Sequence, residues 1–460
     1  MSTRAGEETP VKSGPMVQAR KKVQPRLLFG RFKRARLAIS AVLQSVLFFG
    51  PWITYKGQQA IRIDLAARKL HLFAFTFWPQ DTAFLLVMLI FLAVLMFAST
   101  AVAGRMWCGY ACPQTLLTES FVFVETFFEG SRAKRIKFAQ APWNADKIAR
   151  KLGKWSVWTV MSLWLGVTFA GYFQDAYALV SNLLHGHVSV GNATIISMVA
   201  SAAYFDFGWF REQMCHYACP YARFQSAMFD ADSLIVGYDV RRGEPRGHKG
   251  AAGAGDCIDC AMCTQVCPMG IDIRNGLQLE CIACTACVDA CDSVMDRIGR
   301  PRGLVGYSSL NTLEGRPLKI VRPRVAVYAA MLVALGGVFI VMLAHRPLLV
   351  VDVMRKSGVQ AVYAVTADGH VSNLYHLNFI NKDRVAHDVQ ISVEGFPGAV
   401  VVAPENPLAL AADSARDVDV FVVHPPAQLP PVTPFSFRFA DARSQRFVDT
   451  QEATFLGPSR

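Results

Sequence analysis

The chain has 460 residues, of which 52% are hydrophobic and 18% charged, and its mean hydropathy is +0.27. A charged share well below the usual ~25% excludes a disordered chain and an ordinary water-soluble globule, and twelve cysteines are too few for a disulfide scaffold of this length. The net charge of +12 sits in loops between apolar runs, which points to membrane topology before nucleic acid.

In chain order, residues 1–36 form a basic arm with ten Lys and Arg. Five apolar segments then approach the roughly 20 residues that a helix needs to cross the hydrocarbon: 37–55, 82–104, 155–173, 188–205 and 325–344. The second, TAFLLVMLIFLAVLMFASTAVAG, is uncharged, whereas the fourth holds Asn192 with several Ser and Thr and runs into Asp206. The first lies too far behind its polar arm, with no small-residue cleavage site after it, for a removable signal peptide, and is expected to remain as an anchor.

Loop 105–154 carries nine Lys and Arg and loop 211–323 thirteen, against four in 56–81 and none in 174–187. The positive-inside rule places the N-terminus and both basic loops in the cytoplasm and, with five spans, the C-terminus outside. The basic runs RKKVQPR and RAKRIK lie beside spans, where anionic headgroups account for them, so no nucleic acid is expected. On this topology all twelve cysteines fall on the cytoplasmic side. In that reducing compartment, clustered cysteines mean metal or redox chemistry.

Residues 257–291 read CIDCAMCTQVCPMGIDIRNGLQLECIACTACVDAC, two C-x2-C-x2-C-x3-C runs separated by thirteen residues. Loops this tight wrap three thiolates round one [4Fe-4S] cube and send the fourth cysteine of each run to the neighbouring cube. The expected ligands are Cys257, Cys260, Cys263 and Cys291 for one cluster, and Cys281, Cys284, Cys287 and Cys267 for the other. Structural zinc, the competing use of C-x2-C, takes ligands in pairs across a longer loop, which duplicated triplets do not resemble. So small a domain leaves no substrate pocket, and adjoining clusters would serve to pass single electrons.

Residues 105–113 read RMWCGYACP and 211–220 read REQMCHYACP, each closing an apolar segment as in an internal duplication. If helical, the i, i+4 spacing sets Cys108 with Cys112, and Cys215 with Cys219, on one face about 5–6 Å apart at Cβ, close enough to share a metal ion or form a redox pair. Pro113 and Pro220 each start or break a helix, and a cysteine just before a helix start is biased toward thiolate. Met106, Met214 and His216 stand beside these cysteines as auxiliary ligands, and soft sulfur donors suit Cu(I). The same four cysteines also admit a third iron-sulfur cluster, a disulfide relay, or plain burial at a helix crossing.

His71, His185 and His187 fall on outer loops, where copper, haem or a quinol oxygen are candidate ligands and solvation is the ordinary outcome. No G-x4-G-K-[ST], G-x-S-x-G or H-E-x-x-H motif occurs, so nucleotide-driven and hydrolytic functions have no support. From 346 onward the chain alternates in short stretches: AVYAVTA, NLYHLNFIN, HDVQISVEG, GAVVVA, DVDVFVVH, FSFRFAD and RFVDTQEATF. About seven strands in ~115 residues predict an immunoglobulin-like sandwich, suited to binding or scaffolding.

With these motifs goes a resemblance over nearly the whole chain: FWPQD at 77–81, the two YACP motifs, FREQMC at 210–215, RGEPRG at 242–247, GDCIDC at 255–260, GIDIRNGLQLECIAC at 270–284 and NLYHLNFINK. The chain resembles the cytochrome c oxidase accessory proteins of the CcoG (FixG/RdxA-like) group, membrane polyferredoxins. The resemblance implies two [4Fe-4S] clusters on the eight cysteines above and reduction of Cu(II) to Cu(I) by way of Cys108, Cys112, Cys215 and Cys219, during assembly of a cbb(3)-type haem-copper oxidase. The rival functions are a quinol dehydrogenase feeding a periplasmic reductase and a non-enzymatic copper-binding scaffold. The expected partners are membrane lipid, copper ions, a copper chaperone or oxidase assembly factors, a cytoplasmic electron donor and a second copy of the chain in a homodimer. The expected architecture is a basic arm (1–36), a four-span region (37–210), a cytoplasmic region with a two-cluster ferredoxin domain (211–324, clusters in about 255–295), a fifth span (325–344) and a periplasmic immunoglobulin-like β-sandwich (345–460).

Overall fold

The computed structural model describes residues 23–65, 67–73, 75–248, 253–356, 363–383, 385–425, 430–442 and 447–458. Residues 20–22 of RKKVQPR, 361–362 of AVYAVTA and Arg446 of RFVDTQEATF lie outside these. The chain divides into two units, one running to Leu65 and from Leu85 to Gly337, the other comprising Ala66–Phe84 and Val338–Arg460.

Among the described residues four helices are long and apolar enough to cross a membrane: Arg31–Trp52, Pro79–Ala103, Val190–Phe210 and Pro323–Ala344. The expected span 155–173 falls mostly in helix Ala145–Gly171, which stops two residues short of the expected end and is not one of the four. Lys147, Arg150, Lys151 and Lys154 fill the first half of that helix, and Trp155, Trp158 and Trp164 interrupt its apolar part. The first helix starts earlier than expected, at Arg31, because a distant side chain caps it. The Phe32 and Lys33 amides donate to the Asp289 carboxylate at 3.1 and 2.7 Å, satisfying donors that a helix start leaves orphaned. The 188–205 segment begins at Val190 behind the cap Ser189 and continues as a π-helical stretch, Tyr204–Phe210. Of the run RAKRIK, Arg135 is not available to headgroups: it is 1% exposed and reaches the Pro25 carbonyl at 2.6 Å and Glu125 at 4.0 Å.

The cysteine-rich segment of this unit is bracketed by an antiparallel strand pair, Ile235–Tyr238 with Val305–Ser308. A core of Val236, Ile273, Val288, Val294, Met295, Leu304 and Val305 joins the pair to helix Ala286–Ile298.

In the second unit two sheets face each other. One runs in the order Val400–Val402, Ser414–His424, Val371–Asn381, Leu349–Arg355; the other runs Leu408–Leu410, His387–Glu394, Val432–Asp441, Phe447–Leu456. Alternate residues of each long strand enter the core, among them Tyr375, Leu377, Phe379, Val420, Phe437 and Phe439. The sandwich is as expected, with more strands than the alternation revealed. Leu349–Arg355 was hidden by the apolar run before it, and Leu408–Leu410 is too short to show a period.

The unit also includes a hairpin expected only as loop, Lys69–Leu72 with Phe75–Phe77. It is held by Asp81, whose carboxylate pairs with Arg346 at 2.6 Å and Lys382 at 2.7 Å, all three side chains 5% exposed or less. Arg346 lies over the Phe77 ring at 5.3 Å. The FWPQD and NLYHLNFINK motifs thus meet in one buried ion cluster.

Candidate iron-sulfur and four-thiol site

Both cysteine runs have the same unusual backbone. Asp259 and Ala261 flank Cys260 at φ +52° and +51°, and Ala283 and Thr285 flank Cys284 at φ +51° and +58°. Non-glycine residues seldom adopt this region, and its recurrence at equivalent positions shows that the duplication extends to conformation. Segments of this kind aim successive N–H groups into a concavity that suits an anion, and a thiolate-ligated iron-sulfide cube is one.

Cys267, Cys281, Cys284 and Cys287 line one cavity together with Cys263, which the spacing assigns to the other cluster, and Val236, Met269, Ile271, Ile273 and Ile282 wall it. Burial pushes the Cys267 thiol up to about 12 and Cys281 up to about 11, and raises Cys287 well above its usual value. Bound iron would reverse this, since a coordinating thiol is deprotonated outright. Cys291 is pushed up to about 12 by burial and then by Cys263, with Cys257 contributing, so it faces the other set. Helix Ala286–Ile298 delivers Cys287 to one set and, a turn later, Cys291 to the other. Cys260 is exposed.

The two C-x3-C-P motifs depart from expectation in one respect. Neither is a continuous helix. Helix Met106–Tyr110 contains Cys108 and stops, and Cys112 is the extended cap (φ −66°, ψ 124°) of helix Pro113–Glu129. In the second motif Cys215 lies in the π-helical turn Met214–Ala218, and Cys219 (φ −74°, ψ 111°) caps Pro220–Met228. The reason is steric, because a proline ring drives the preceding residue out of the helical region. The Cys112 amide donates to the Trp107 carbonyl at 2.9 Å and the Cys219 amide to the Met214 carbonyl at 2.8 Å, each five residues back. Gly104 (φ +55°) and Arg211 (φ +47°) occupy matching places before the motifs.

Despite the break the four thiols come together. Cys215 is pushed up to about 12 by burial and then by Cys112, Cys108 and Cys219; Cys108 is pushed up to about 12 by burial, with Cys112 and Cys219 adding to it. Among the described residues no three His, Cys, Asp or Glu side chains close round a point at single-ion distance.

This set adjoins the cluster cradle directly. Cys108 and Cys215, together with Cys267, pack against the buried cluster of Met269, Ile282 and Cys284. A Cβ at Gly109 would stand 2.7 Å from the Ile282 carbonyl oxygen and 2.8 Å from Cys284 Cα, so only glycine allows this approach. Arg105 donates to the Ala222 carbonyl at 2.8 Å and to the Leu279 carbonyl. Arg36 spans Glu119 at 2.7 Å and the Cys284 carbonyl at 3.4 Å, and Tyr110 Oη meets Thr285 Oγ1 at 2.8 Å.

Arg36, Arg105, Gly109 and Asp289 were missed from sequence. The arginines read as topological charge, and Gly109 was an unassigned x in C-x3-C; its smallness beside two cysteines was the available signal. Of the auxiliary ligands, His216 is turned to the Met269 carbonyl. Met214 takes part through its carbonyl, and Met106 opens the first short helix. The outer-loop histidines are engaged locally: His71 with Thr76 at 3.2 Å, His185 with the Ser181 carbonyl at 2.7 Å, and His187 by its amide with Asn182.

Eight thiols in two duplicated C-x2-C-x2-C-x3-C runs, with matching positive-φ residues about Cys260 and Cys284, define an iron-sulfur electron-transfer protein. Known families match accordingly: a 4Fe-4S dicluster domain over residues 210–310, a 4Fe-4S binding domain over 84–126, and the IG-like fold at the C-terminus of FixG over 339–458. Protein RdxA of Cereibacter sphaeroides is 39% identical over 84% of this chain and 85% of its own. Nitrogen fixation protein FixG of Rhizobium meliloti is 35% identical over 84% and 82%, and protein RdxB of Cereibacter sphaeroides 39% over 84% and 87%. The crystal structure of a FixG-related protein from Vibrio parahaemolyticus aligns with 24% of this chain and 95% of its own at 17% identity and a TM-score of 0.21. The chain belongs to the FixG family.

Proposed function

We propose that the protein reduces Cu(II) to Cu(I) at Cys108, Cys112, Cys215 and Cys219, for assembly of the copper centre of a cbb(3)-type oxidase. The observation that carries this reading is the packing of Cys108 and Cys215, together with Cys267, against the buried cluster of Met269, Ile282 and Cys284. Cys257, Cys260, Cys263 and Cys291 would hold one [4Fe-4S] cluster and Cys267, Cys281, Cys284 and Cys287 the other, and these clusters supply one-electron carriage when bound.

The remaining chemistry belongs to the chain. The four thiols lose their protons to bind copper, and soft thiolate ligation favours the reduced ion, drawing Cu(II) toward Cu(I). Gly109 keeps the copper site against the cradle, while Arg36 and Arg105 hold the cradle's carbonyls in place. In this reading the protein lies in a bacterial inner membrane with five spans, helix Ala145–Gly171 supplying one, the cysteines on the cytoplasmic side and the sandwich in the periplasm.

The test is an anaerobic assay of Cu(I) formation by the chemically reduced protein beside a variant with all four cysteines changed to Ala; equal rates would remove these thiols from the reaction. A second reading, that the four thiols hold a third iron-sulfur cluster, is favoured by the 4Fe-4S match over 84–126, which contains Cys108 and Cys112. About twelve irons per chain in place of about eight would establish it.

A further inference from the structure

We propose that a cavity beside the four-thiol site binds a hydroquinone, the electron donor for the copper reduction proposed above, on which this role rests. The cavity has a volume of about 90 Å³, several times the roughly 10–15 Å³ that holds one water on the same measure. It lies between residues 23–28, the start of helix Arg31–Phe49, the first turns of Pro113–Glu129 and the 211–215 segment. Its walls include Lys33 and Arg36 of helix Arg31–Trp52, which is able to cross a membrane, and Arg211, the residue that follows helix Val190–Phe210, where a lipid-soluble molecule would arrive.

Toward the redox site the wall is one residue thick. Met269 and Ile282 line both this cavity and the one holding Cys267, Cys281, Cys284 and Cys287, and Cys215 lines it directly. Two polar groups of the lining are unsatisfied. Glu212 is 8% exposed, yet its Oε1 has no hydrogen-bond partner, and Thr118 Oγ1 is buried in the same condition. Buried acceptors left this way call for a donor.

A hydroquinone has the complementary form: an apolar ring with an O–H at each end. A bare cupric ion would meet Lys33, Arg36 and Arg211 in the lining, and an anionic headgroup would suit those cations but be repelled by Glu212. Oxidation of one hydroquinone to the quinone releases two protons, to Glu212 and water, and two electrons, which reduce two Cu(II) to two Cu(I).

The test is equilibrium dialysis of a short-tailed ubiquinol, kept reduced under nitrogen, against the full-length protein in detergent without copper. One ligand should bind per chain. Glu212→Ala should weaken binding about tenfold, Thr118→Val several-fold, and Thr118→Trp, which fills the cavity, should abolish it; iron content at the wild-type level checks that each variant has folded. No binding by the wild type, equal binding by all variants, or displacement by short-chain phosphatidylglycerol would overturn the proposal. Because binding is read without copper, failure of Cu(I) formation would remove the copper reading and leave the site standing.

Discussion

Replacing Gly109 by alanine should separate the four-thiol site from the cluster cradle. The added methyl would lie 2.7 Å from the Ile282 carbonyl oxygen, 2.8 Å from Cys284 Cα and 2.9 Å from the Cys284 nitrogen. All three are backbone atoms, so no rotamer relieves the overlap, and one side must withdraw by about 0.6 Å or more to regain ordinary contact. Neither side is free to move, since Arg36, Arg105 and Tyr110 tie them together by side-chain hydrogen bonds. Overpacking of this kind costs about 1–3 kcal/mol. The displaced atoms belong to a cluster ligand, so anaerobically purified Gly109→Ala should fall from about eight irons per chain toward four and form Cu(I) about tenfold more slowly or worse. The sign of the stability change makes the test sharp. Gly109 is inside helix Met106–Tyr110, where Ala in open space would stabilise by about 0.5–1 kcal/mol. A variant melting at or above the wild-type temperature, with full iron and unchanged copper kinetics, would refute the contact.

Asp81→Ala would leave Arg346 and Lys382, 5% and 3% exposed, without their counter-ion. A loss of about 3–5 kcal/mol is expected, read as faster proteolysis within residues 338–458, with partial recovery when Arg346→Met and Lys382→Met are added. Cys284→Ala should cost a cluster and stop Cu(I) formation while sparing copper binding, whereas loss of Cys108 or Cys215 should lower copper binding with iron near normal; near-stoichiometric zinc with little iron would overturn the cluster assignment. Reporter fusions after Pro113 and after Glu394 should report cytoplasm and periplasm respectively, and a cytoplasmic result at the second would reduce the span count by one, with Ala145–Gly171 the helix to remove.

What the sequence carried by itself was local and periodic. Ligand spacing in a cluster loop is set by the cube, so the eight cysteines could be assigned as ligands before any coordinates, whereas the structure adds that Cys263 shares a cavity with Cys267, Cys281, Cys284 and Cys287. Apolar runs and alternating strands report burial one residue at a time, which is why the long helices and most of the sandwich were legible, while the short strand Leu408–Leu410 was not. The decisive contacts at the site are of another kind. Asp289 caps a helix whose start lies 256 residues away, Arg36 reaches Cys284 across 248, and Lys382 reaches Asp81 across 301. A charge or a glycine in sequence does not say what will be brought against it. Once those groups are buried, each must find a counter-charge, a carbonyl or a clear surface, and only the folded chain decides which residue supplies it.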